Sequence, residues 1–121
     1  MANNKTKGSN AERLFAKEFR ELGYDKCVTS RYGSRMHDDA AIDLIHIPFN
    51  VQIKAGIQRS MNPTKVLRDM SERIARMFPE TALEHTYNNI VIHRKNVGRA
   101  KKRDKYDTIV IMAWEDYKTL I

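Results

Sequence analysis

The chain has 121 residues, of which 41% are hydrophobic and 31% charged, and its formal net charge is +7. This length predicts one core, and the composition is too apolar for disorder throughout; residues 1–8 are expected to be a flexible basic arm and residues 9–121 one domain. No apolar run approaches the roughly 20 residues of a membrane span, and the N-terminus lacks the apolar core of a secretory signal. Cys27 is the only cysteine, which excludes an internal disulfide and fits a reducing cytoplasm, that of the host if a phage encodes the chain.

The first third of the chain predicts a helix, a strand and a loop. The segment Ser9–Glu12 matches a capping box, and an apolar stripe follows it, so a helix is expected to begin there. Gly23 is expected to end that helix as a C-terminal glycine. Residues 26–32 predict a strand, in which Cys27 is a buried side chain rather than a nucleophile. Residues 33–39 predict a polar loop with little reason to be rigid.

The strongest strand signal lies in residues 41–56. Two apolar runs of period 2 flank a Pro-Phe-Asn turn at residues 48–50, which is a hairpin pattern. Asp43 interrupts the first run, whereas Gln52 and Lys54 alternate with apolar residues in the second. If the Pro-Phe pair forms the turn, Asp43 lies opposite Lys54, and one face presents a carboxylate, an amide oxygen and an ammonium group.

These three hairpin side chains suit a metal site. Oxygen ligands on a rigid element suit Mg²⁺, which proteins hold through one or two carboxylates. A lysine beside the metal can orient the attacking water or stabilise charge on a phosphate. The alternative is a cross-strand salt bridge on a half-exposed sheet. Apolar residues on both faces favour a central hairpin, in which charges are rarely buried unless they are paired or metal-bound.

The second half of the chain predicts a helix, two strands and a last short helix. Asn62-Pro63 is expected to begin the first helix and Pro79 to end it. Residues 87–94 and 106–114 predict strands, and residues 115–121 predict a helix. This order predicts an α/β fold with a central mixed β-sheet flanked by helices.

The connection between the last two strands holds most of the net charge. Residues Arg94 to Lys105 contain seven Lys or Arg residues and one Asp, a net charge of +6, which leaves the rest of the chain nearly neutral. Positive charge concentrated in this way favours a nucleic-acid partner. The alternative is a solvated loop that keeps the protein soluble.

Asp43, followed by Gln52-Ile53-Lys54, resembles the D…(E/Q)xK signature of the PD-(D/E)xK nuclease superfamily. The segments KGSNAERLFAKEF, ELGYDKCVTSRYGSRMHDDAAIDLI and IVIHR…YDTIVIMAWEDY resemble, in that order, archaeal-type and phage Holliday junction resolvases over nearly the whole chain. The resemblance implies a restriction-endonuclease-like core, Mg²⁺ as cofactor with Mn²⁺ as a substitute, and cleavage of DNA four-way junctions. Because a junction is resolved by two symmetric cuts, a homodimer is expected. The family usually has Glu where this chain has Gln52, whose amide oxygen carries no negative charge.

The resemblance also implies roles for single residues. The implied metal ligands are Glu12, Asp43, Gln52 and the carbonyl of Ile53, and the implied catalytic set is Glu12, Ser34, Asp43, Gln52 and Lys54. Ser34 and Arg35 would approach the scissile phosphate, and Asp39 can supplement the charge that Gln52 lacks. Glu12 is also the residue that a capping box requires, so its role has two explanations. The residues expected to contact DNA are Lys5, Lys7, Arg31, Arg35, Arg94, Lys95, Arg99, Lys101, Lys102, Arg103 and Lys105.

Several functions stay open at the level of sequence. The first is a junction-resolving endonuclease, and the second is a restriction or repair endonuclease on linear duplex. The third is a non-catalytic nucleic-acid-binding module whose metal site has decayed, and the fourth is a small globular protein with a salt-bridged hairpin. Residues 85–93, HTYNNIVIH, faintly resemble ββα-metal nucleases but lack a helix with metal ligands, and the chain has no Cys/His cluster for zinc.

Overall fold

A computed structural model describes residues 4–56, 61–97 and 101–121, with the side chains from residue 9 onwards. In chain order the elements are α1 (Asn4–Glu21), β1 (Val28–Thr29), α2 (Ser30–Gly33), α3 (Arg35–Asp39), β2 (Leu44–Ile45), β3 (Phe49–Gly56), α4 (Pro63–Met77), β4 (Asn88–Lys95), β5 (Thr108–Met112) and α5 (Trp114–Lys118), with 3₁₀ turns at Leu83–His85 and Lys105–Asp107. The five strands form one sheet in the order β1-β2-β3-β4-β5. Strands β3 and β4 run parallel and the other neighbours antiparallel, so the predicted mixed sheet is confirmed. Within the described ranges, no helix combines the length and the apolar character that crossing a membrane requires.

The main core lies between α1 and one face of the sheet. Ala11, Phe15 and Ala16 form the buried stripe of α1, and they pack against alternate residues of the central strands, such as Val51 and Ile53. Alternation along a strand sends every second side chain to one face, which explains why these two share a core with α1. The predicted strands 87–94 and 106–114 correspond to β4 and β5.

The opposite face of the sheet is covered by α4. Asn62 caps this helix, because its Oδ1 accepts a hydrogen bond from the Lys65 N–H at 3.2 Å, and Pro63 takes the first helical position. Met70 and Ile74 are buried beneath the helix, which ends at Met77. The predicted start and end of this helix are therefore confirmed. Helices on both faces complete the flanked sheet.

Helix α1 begins earlier than the sequence predicts. It starts at Asn4, so residues 4–8 form its first turns and Ser9 lies inside it. The predicted capping box is therefore wrong, since neither residue of the Ser9–Glu12 segment is at the helix start. Both side chains instead turn towards Arg31: its guanidinium donates to the Ser9 hydroxyl at 2.7 Å and lies 3.3 Å from the Glu12 carboxylate.

The end of α1 is a Schellman motif built on Gly23, as predicted. Gly23 has a φ of +113°, a value that L side chains rarely adopt. The N–H of Tyr24 donates to the carbonyl of Phe19, and the N–H of Gly23 donates to the carbonyl of Arg20, both at 3.1 Å. The rings of Phe19 and Tyr24 pack with their centroids 6.1 Å apart, which is the apolar contact typical of this motif.

The segment after β1 is helical, contrary to the sequence prediction. The strand predicted over residues 26–32 contains only Val28 and Thr29, and the loop predicted over residues 33–39 contains α3. Ser34 caps α3, because its hydroxyl accepts from the His37 N–H at 3.3 Å. This local hydrogen bond, together with contacts of His37 described below, holds a polar sequence in a fixed conformation.

The hairpin of β2 and β3 forms where the sequence predicts it, but with another register. Leu44 pairs with Val51, which brings Asp43 to the level of Gln52. The prediction that Asp43 lies opposite Lys54 is therefore wrong by two residues. The cause is the turn, which spans residues 46–48 and contains His46 at a φ of +68°.

Strands β3 and β4 pair over eight residues, and the paired side-chain amides of the buried Asn50 and the half-buried Asn89 mark their register. Asn50 lies directly beside Asn89, and its Nδ2 donates to the Asn89 Oδ1 at 2.9 Å and to the Glu84 carbonyl at 2.7 Å. Asn89 in turn donates to the Ser71 hydroxyl of α4 at 2.9 Å. The face under α4 therefore carries a polar seam as well as apolar side chains.

Candidate functional site

Three carboxylates from different elements lie close together beside the hairpin. Glu12 comes from α1, Asp38 from α3, and Asp43 from the residue before β2; these three form the acidic cluster. The charges of Glu12 and Asp38 both act on Asp43. Arg31 of α2 lies among them, with its Nε 3.3 Å from Glu12 and 3.9 Å from Asp38. The structure thus joins the predicted Glu12 and Asp43 in one site.

Asp43 is fixed by three backbone hydrogen bonds. Its Oδ2 accepts from the N–H of Ile53 at 2.7 Å, and its own N–H donates to the Val51 carbonyl at 2.7 Å. Its carbonyl accepts from the N–H of Ser30 at 2.8 Å. The carboxylate therefore bonds to β3 at the residue between Gln52 and Lys54, and the predicted segment Gln52-Ile53-Lys54 lies beside it.

Burial makes negative charge unfavourable in the acidic cluster. Burial raises the pKa of Asp43 from 3.8 to about 7; the Ile53 N–H opposes the rise, and the charges of Glu12 and Asp38 add to it. The pKa of Glu12 is also raised, mainly by burial, while the charge of Arg31 opposes that change. A cation at this position would favour the ionised form of both carboxylates.

The oxygen atoms of the predicted ligands are of the chemical kinds that Mg²⁺ prefers. Carboxylate, amide and carbonyl oxygens are hard donors, and Asp43, Glu12, Gln52 and the Ile53 carbonyl supply all three kinds. Among the residues that the structure describes, no three His, Cys, Asp or Glu side chains form a group that could hold a metal ion. A metal here would therefore need the Gln52 amide, the Ile53 carbonyl, or water and substrate oxygens to complete its ligands.

Two members of the site have roles that the sequence did not indicate. Asp38 belongs to the acidic cluster and its Oδ1 accepts from the buried Ser30 hydroxyl at 3.4 Å, whereas Asp39 forms an exposed pair with Arg35 at 3.8 Å. Asp38, and not the exposed Asp39, therefore lies in the acidic cluster. Arg31, predicted to contact DNA, uses its guanidinium inside the cluster. No sequence pattern marks this contact, because it joins α1 to α2 across the fold.

Ser34 lies in a different hydrogen-bond network. Its Oγ is 2.7 Å from Nδ1 of His37, and Nε2 of His37 is 2.6 Å from Oε1 of Glu84. These three residues line a cavity of about 250 Å³. Arg35, expected to act with Ser34, extends into solvent. The network ties α3 to the 3₁₀ turn at residues 83–85 and holds the Ser34 hydroxyl on His37.

The basic segment, residues 94–105, begins at the carboxyl ends of β3 and β4, close to Asp43. In the parallel pair, Arg94 lies beside Ala55 and Lys95 beside Gly56. The segment therefore starts two to three residues beyond Ile53, about 7–10 Å along the strand. Ligands of open α/β sheets commonly bind at the carboxyl ends of parallel strands.

Some basic side chains of this segment contact other groups of the protein, whereas others are exposed to solvent. Arg103 donates to the Lys95 carbonyl at 2.7 Å, and burial together with the nearby charge of Arg103 lowers the pKa of Arg94. The ammonium of Lys105 lies 5.0 Å from the ring centre of Tyr106. Lys101 and Lys102 are exposed. Arg99 lies outside the described residues, as do the side chains of Lys5 and Lys7.

The two histidines of the HTYNNIVIH segment do not lie together. Nε2 of His85 is 3.1 Å from the Phe78 carbonyl. His93 lies on β4 beside Lys54, and its Nε2 is buried with no hydrogen-bond partner in the described part of the chain. This arrangement gives no support to a ββα-metal centre.

No known family model, curated protein or solved structure matches this chain. The function proposed below therefore rests on the residues of the site and on the resemblance of the sequence motif.

Proposed function

We propose that this protein is a metal-dependent DNA endonuclease with a restriction-endonuclease-like core, and that its substrate is the four-way junction. One observation carries the proposal: the partly buried Asp43 carboxylate accepts a hydrogen bond from the N–H of Ile53, between Gln52 and Lys54, and lies beside Glu12. The element order supports it as well. A helix with Glu12, a hairpin with the D…QxK residues, and the closing strands follow one another as the resemblance implies.

In this proposal the chain supplies metal ligands, a lysine and a phosphate-binding surface. Asp43 and Glu12 would hold Mg²⁺ with the Gln52 amide and the Ile53 carbonyl, and the bound ion would stabilise negative charge on the scissile phosphate. Lys54 would orient the attacking water or neutralise charge on the phosphate oxygens. A bond would form between the water oxygen and phosphorus as the phosphorus–oxygen bond to one strand end breaks, and the released strand-end oxygen would take up a proton in place of the one that the water loses to solvent. The exposed lysines 101 and 102 would hold neighbouring phosphates.

The experiment that tests the proposal compares a labelled four-way junction with a linear duplex of the same arm sequences. Cleavage is measured with Mg²⁺, with Mn²⁺ and with EDTA, for the wild type, Asp43→Asn and Asp39→Asn. Asp39 is a matched control, because it is an exposed carboxylate four residues away and outside the acidic cluster. We expect paired, symmetric cuts in the junction that EDTA and Asp43→Asn abolish and Asp39→Asn leaves unchanged.

Other outcomes would change the proposal in defined ways. Equal cleavage of linear duplex would make the protein a restriction or repair endonuclease instead. Equal loss of DNA binding and cleavage in Asp43→Asn would refute the ligand role, since removing a charge that faces phosphate should not weaken binding. Cleavage that persists in EDTA would refute metal dependence.

A non-catalytic DNA-binding module is the second candidate. The contact of Arg31 with Glu12 at 3.3 Å favours it, because the guanidinium already supplies positive charge in the acidic cluster. The neutral Gln52 also favours a non-catalytic module, because an amide brings no negative charge to a metal ion. Tight junction binding with no cleavage in either Mg²⁺ or Mn²⁺ would establish this candidate.

A further inference from the structure

A serine, a histidine and a glutamate form a continuous chain of hydrogen bonds that shares no residue with the acidic cluster. The Ser34 Oγ lies 2.7 Å from Nδ1 of His37, and the other ring nitrogen, Nε2, lies 2.6 Å from Oε1 of Glu84. This is the order of a nucleophile, a base and a group that orients the base. We call these three residues the serine network.

The carboxylate of Glu84 decides which ring nitrogen of His37 carries the proton. An ionised carboxylate only accepts hydrogen bonds, so the contact of 2.6 Å requires a proton on Nε2. In the neutral ring Nδ1 is then an acceptor, and the Ser34 hydroxyl must donate to it. The hydroxyl hydrogen therefore already points at the atom that would remove it.

Other contacts hold the histidine ring in this position. The ring of His37 packs against that of Phe78, with the ring centres 4.9 Å apart. The side chains of His37 and Glu84 are only 22% and 16% exposed, so little water competes for their hydrogen bond. The Ser34 Oγ also accepts from the His37 backbone N–H at 3.3 Å, which restrains the serine side chain. The nucleophile and its base are thus held in place by the fold itself.

The serine network lines a cavity with mainly apolar walls. Its volume is about 250 Å³, below the about 300–1,000 Å³ that is usual for ligand cavities, so it suits a small group. The apolar residues of its lining are Ile42, Leu44, Ile45, Ile47, Phe49 and Leu83. A short aliphatic acyl chain matches both the volume and the walls.

Two polar residues of the lining suit the negative oxygen that forms during acyl transfer. His46 and Tyr87 line the same cavity, and their side chains carry a ring N–H and a phenolic O–H. Donors that face such an oxygen stabilise the intermediate. His46 also has a φ of +68°, which is uncommon for a residue with a side chain, and backbone strain of this kind is frequent at functional sites.

We propose that Ser34 is a nucleophile for short-chain acyl esters, with His37 as its general base and Glu84 as the residue that positions His37. As the Ser34 Oγ attacks the ester carbonyl, a carbon–oxygen bond forms and the hydroxyl proton moves to Nδ1 of His37. The bond to the alcohol then breaks, and the alcohol leaves with that proton. Water next attacks the acyl group and gives one proton to His37; the acid is released, and the Ser34 oxygen takes the proton back.

This activity goes beyond the proposed endonuclease, because it needs neither a metal ion nor DNA. The sequence resemblance implies that Ser34 approaches a scissile phosphate, whereas the contact with His37 directs its hydroxyl to a base. The test can therefore be made in EDTA and without nucleic acid.

The test measures hydrolysis of p-nitrophenyl acetate and p-nitrophenyl butyrate by the full chain. Ser34 also caps α3, so its replacement must keep the cap. Ser34→Asn does so, because asparagine is a strong cap residue without a nucleophilic hydroxyl. We expect Ser34→Asn and His37→Gln each to lower kcat/KM at least about a hundredfold. Ser71→Ala is the matched control and should change nothing, because the Ser71 hydroxyl lies on α4, bonded to Asn89 at 2.9 Å, and does not line the cavity.

Two further measurements separate a role in the reaction from a role in folding. Glu84→Gln keeps an oxygen that can accept from the His37 ring but removes the charge, so kcat should fall at least about tenfold while KM stays unchanged. After incubation with a fluorophosphonate, mass spectrometry of the intact wild type should show one adduct, on Ser34. The adduct should be absent in Ser34→Asn and should form at least about a hundredfold more slowly in His37→Gln.

The contrary results are equally defined. Equal hydrolysis by the wild type and Ser34→Asn, or a fluorophosphonate that leaves Ser34 unlabelled, would overturn the proposal. Labelling that does not depend on His37 would refute its role as the base. Ester hydrolysis that depends on Ser34, in a protein that never cuts DNA, would support this proposal and refute the endonuclease. Junction cleavage without such ester hydrolysis would do the reverse.

Discussion

Replacing Asp43 by Asn removes a partly buried charge while it keeps an oxygen that can accept from the Ile53 N–H. Burial raises the pKa of Asp43 to about 7, so at pH 8 the folded protein holds a carboxylate where charge is disfavoured. The side-chain amide of asparagine carries no charge at any of these pH values, from acid to pH 8. We therefore expect Asp43→Asn to be more stable than the wild type at pH 8 without metal, although it should have lost cleavage.

The size of this effect follows from the two pKa values. In the unfolded chain Asp43 ionises near 3.8, and in the folded chain near 7. Between these values the folded state binds more protons, so the contribution of Asp43 to stability is largest below about pH 3.8 and is lost as the pH rises through about 7. A pKa difference of about three corresponds to about 4 kcal/mol at most. If half of this maximum is realised, the melting temperature of Asp43→Asn at pH 8 should exceed that of the wild type by about 6 °C for a domain of this size.

The assay is thermal unfolding of the wild type, Asp43→Asn and the control Asp39→Asn, at pH 5 and pH 8. In EDTA, the gap between Asp43→Asn and the wild type should widen from pH 5 to pH 8, and Asp39→Asn should show no such change. Adding Mg²⁺ at pH 8 should then raise the melting temperature of the wild type but not that of Asp43→Asn, because a ligand that binds only the folded state stabilises it.

Two results would refute this reasoning. If Asp43→Asn were less stable than the wild type at pH 8, or if the gap were the same at both pH values, the carboxylate would not be destabilised by its surroundings. If Mg²⁺ stabilised both proteins equally, Asp43 would not be a metal ligand.

Three further predictions test other parts of the structure. Gln52→Glu adds a charge at the level of Asp43, so the Mg²⁺ concentration for half-maximal stabilisation should fall about tenfold; an unchanged titration would exclude Gln52 as a ligand. Replacing both Lys101 and Lys102 with Ala should reduce the slope of log affinity against log salt for junction binding by about 2, and an unchanged slope would remove this segment from the DNA. Gly23→Ala forces a side chain into a positive φ and should cost about 1 kcal/mol in urea unfolding; an unchanged midpoint would show that the helix end relaxes freely.

The sequence predicted those elements whose signals are local. The start of α4 at Asn62-Pro63, the end of α1 at Gly23 and the two apolar runs of the hairpin each depend on neighbouring residues. The hairpin register was missed because the turn contains His46 at positive φ, a conformation that its residue type does not require. The helix in residues 35–39 was missed because it depends partly on a contact between His37 and Glu84, 47 positions away.

The candidate site also has a part that the sequence predicted and a part that it did not. The spacing of Asp43 and Gln52-Ile53-Lys54 indicated their proximity, since a hairpin brings such residues together. The contacts of Arg31 with Glu12 and Asp38 arise from the packing of α2 against α1 and α3, and no spacing in the sequence encodes that packing.

The paired amides Asn50 and Asn89 have a consequence for how accurately the sheet assembles. If β4 slipped by one residue along β3, Asn50 would lose its hydrogen bond to the Asn89 oxygen, and the loss of one such hydrogen bond costs about 0.5–1.5 kcal/mol. Apolar contacts alone oppose such a slip less, because Ile90, Val91 and Ile92 are three consecutive buried apolar residues of β4. The same slip would move Arg94 by about 3.3 Å relative to Ile53. Two uncharged side chains far from the basic segment thus help to set its distance from the acidic cluster during folding.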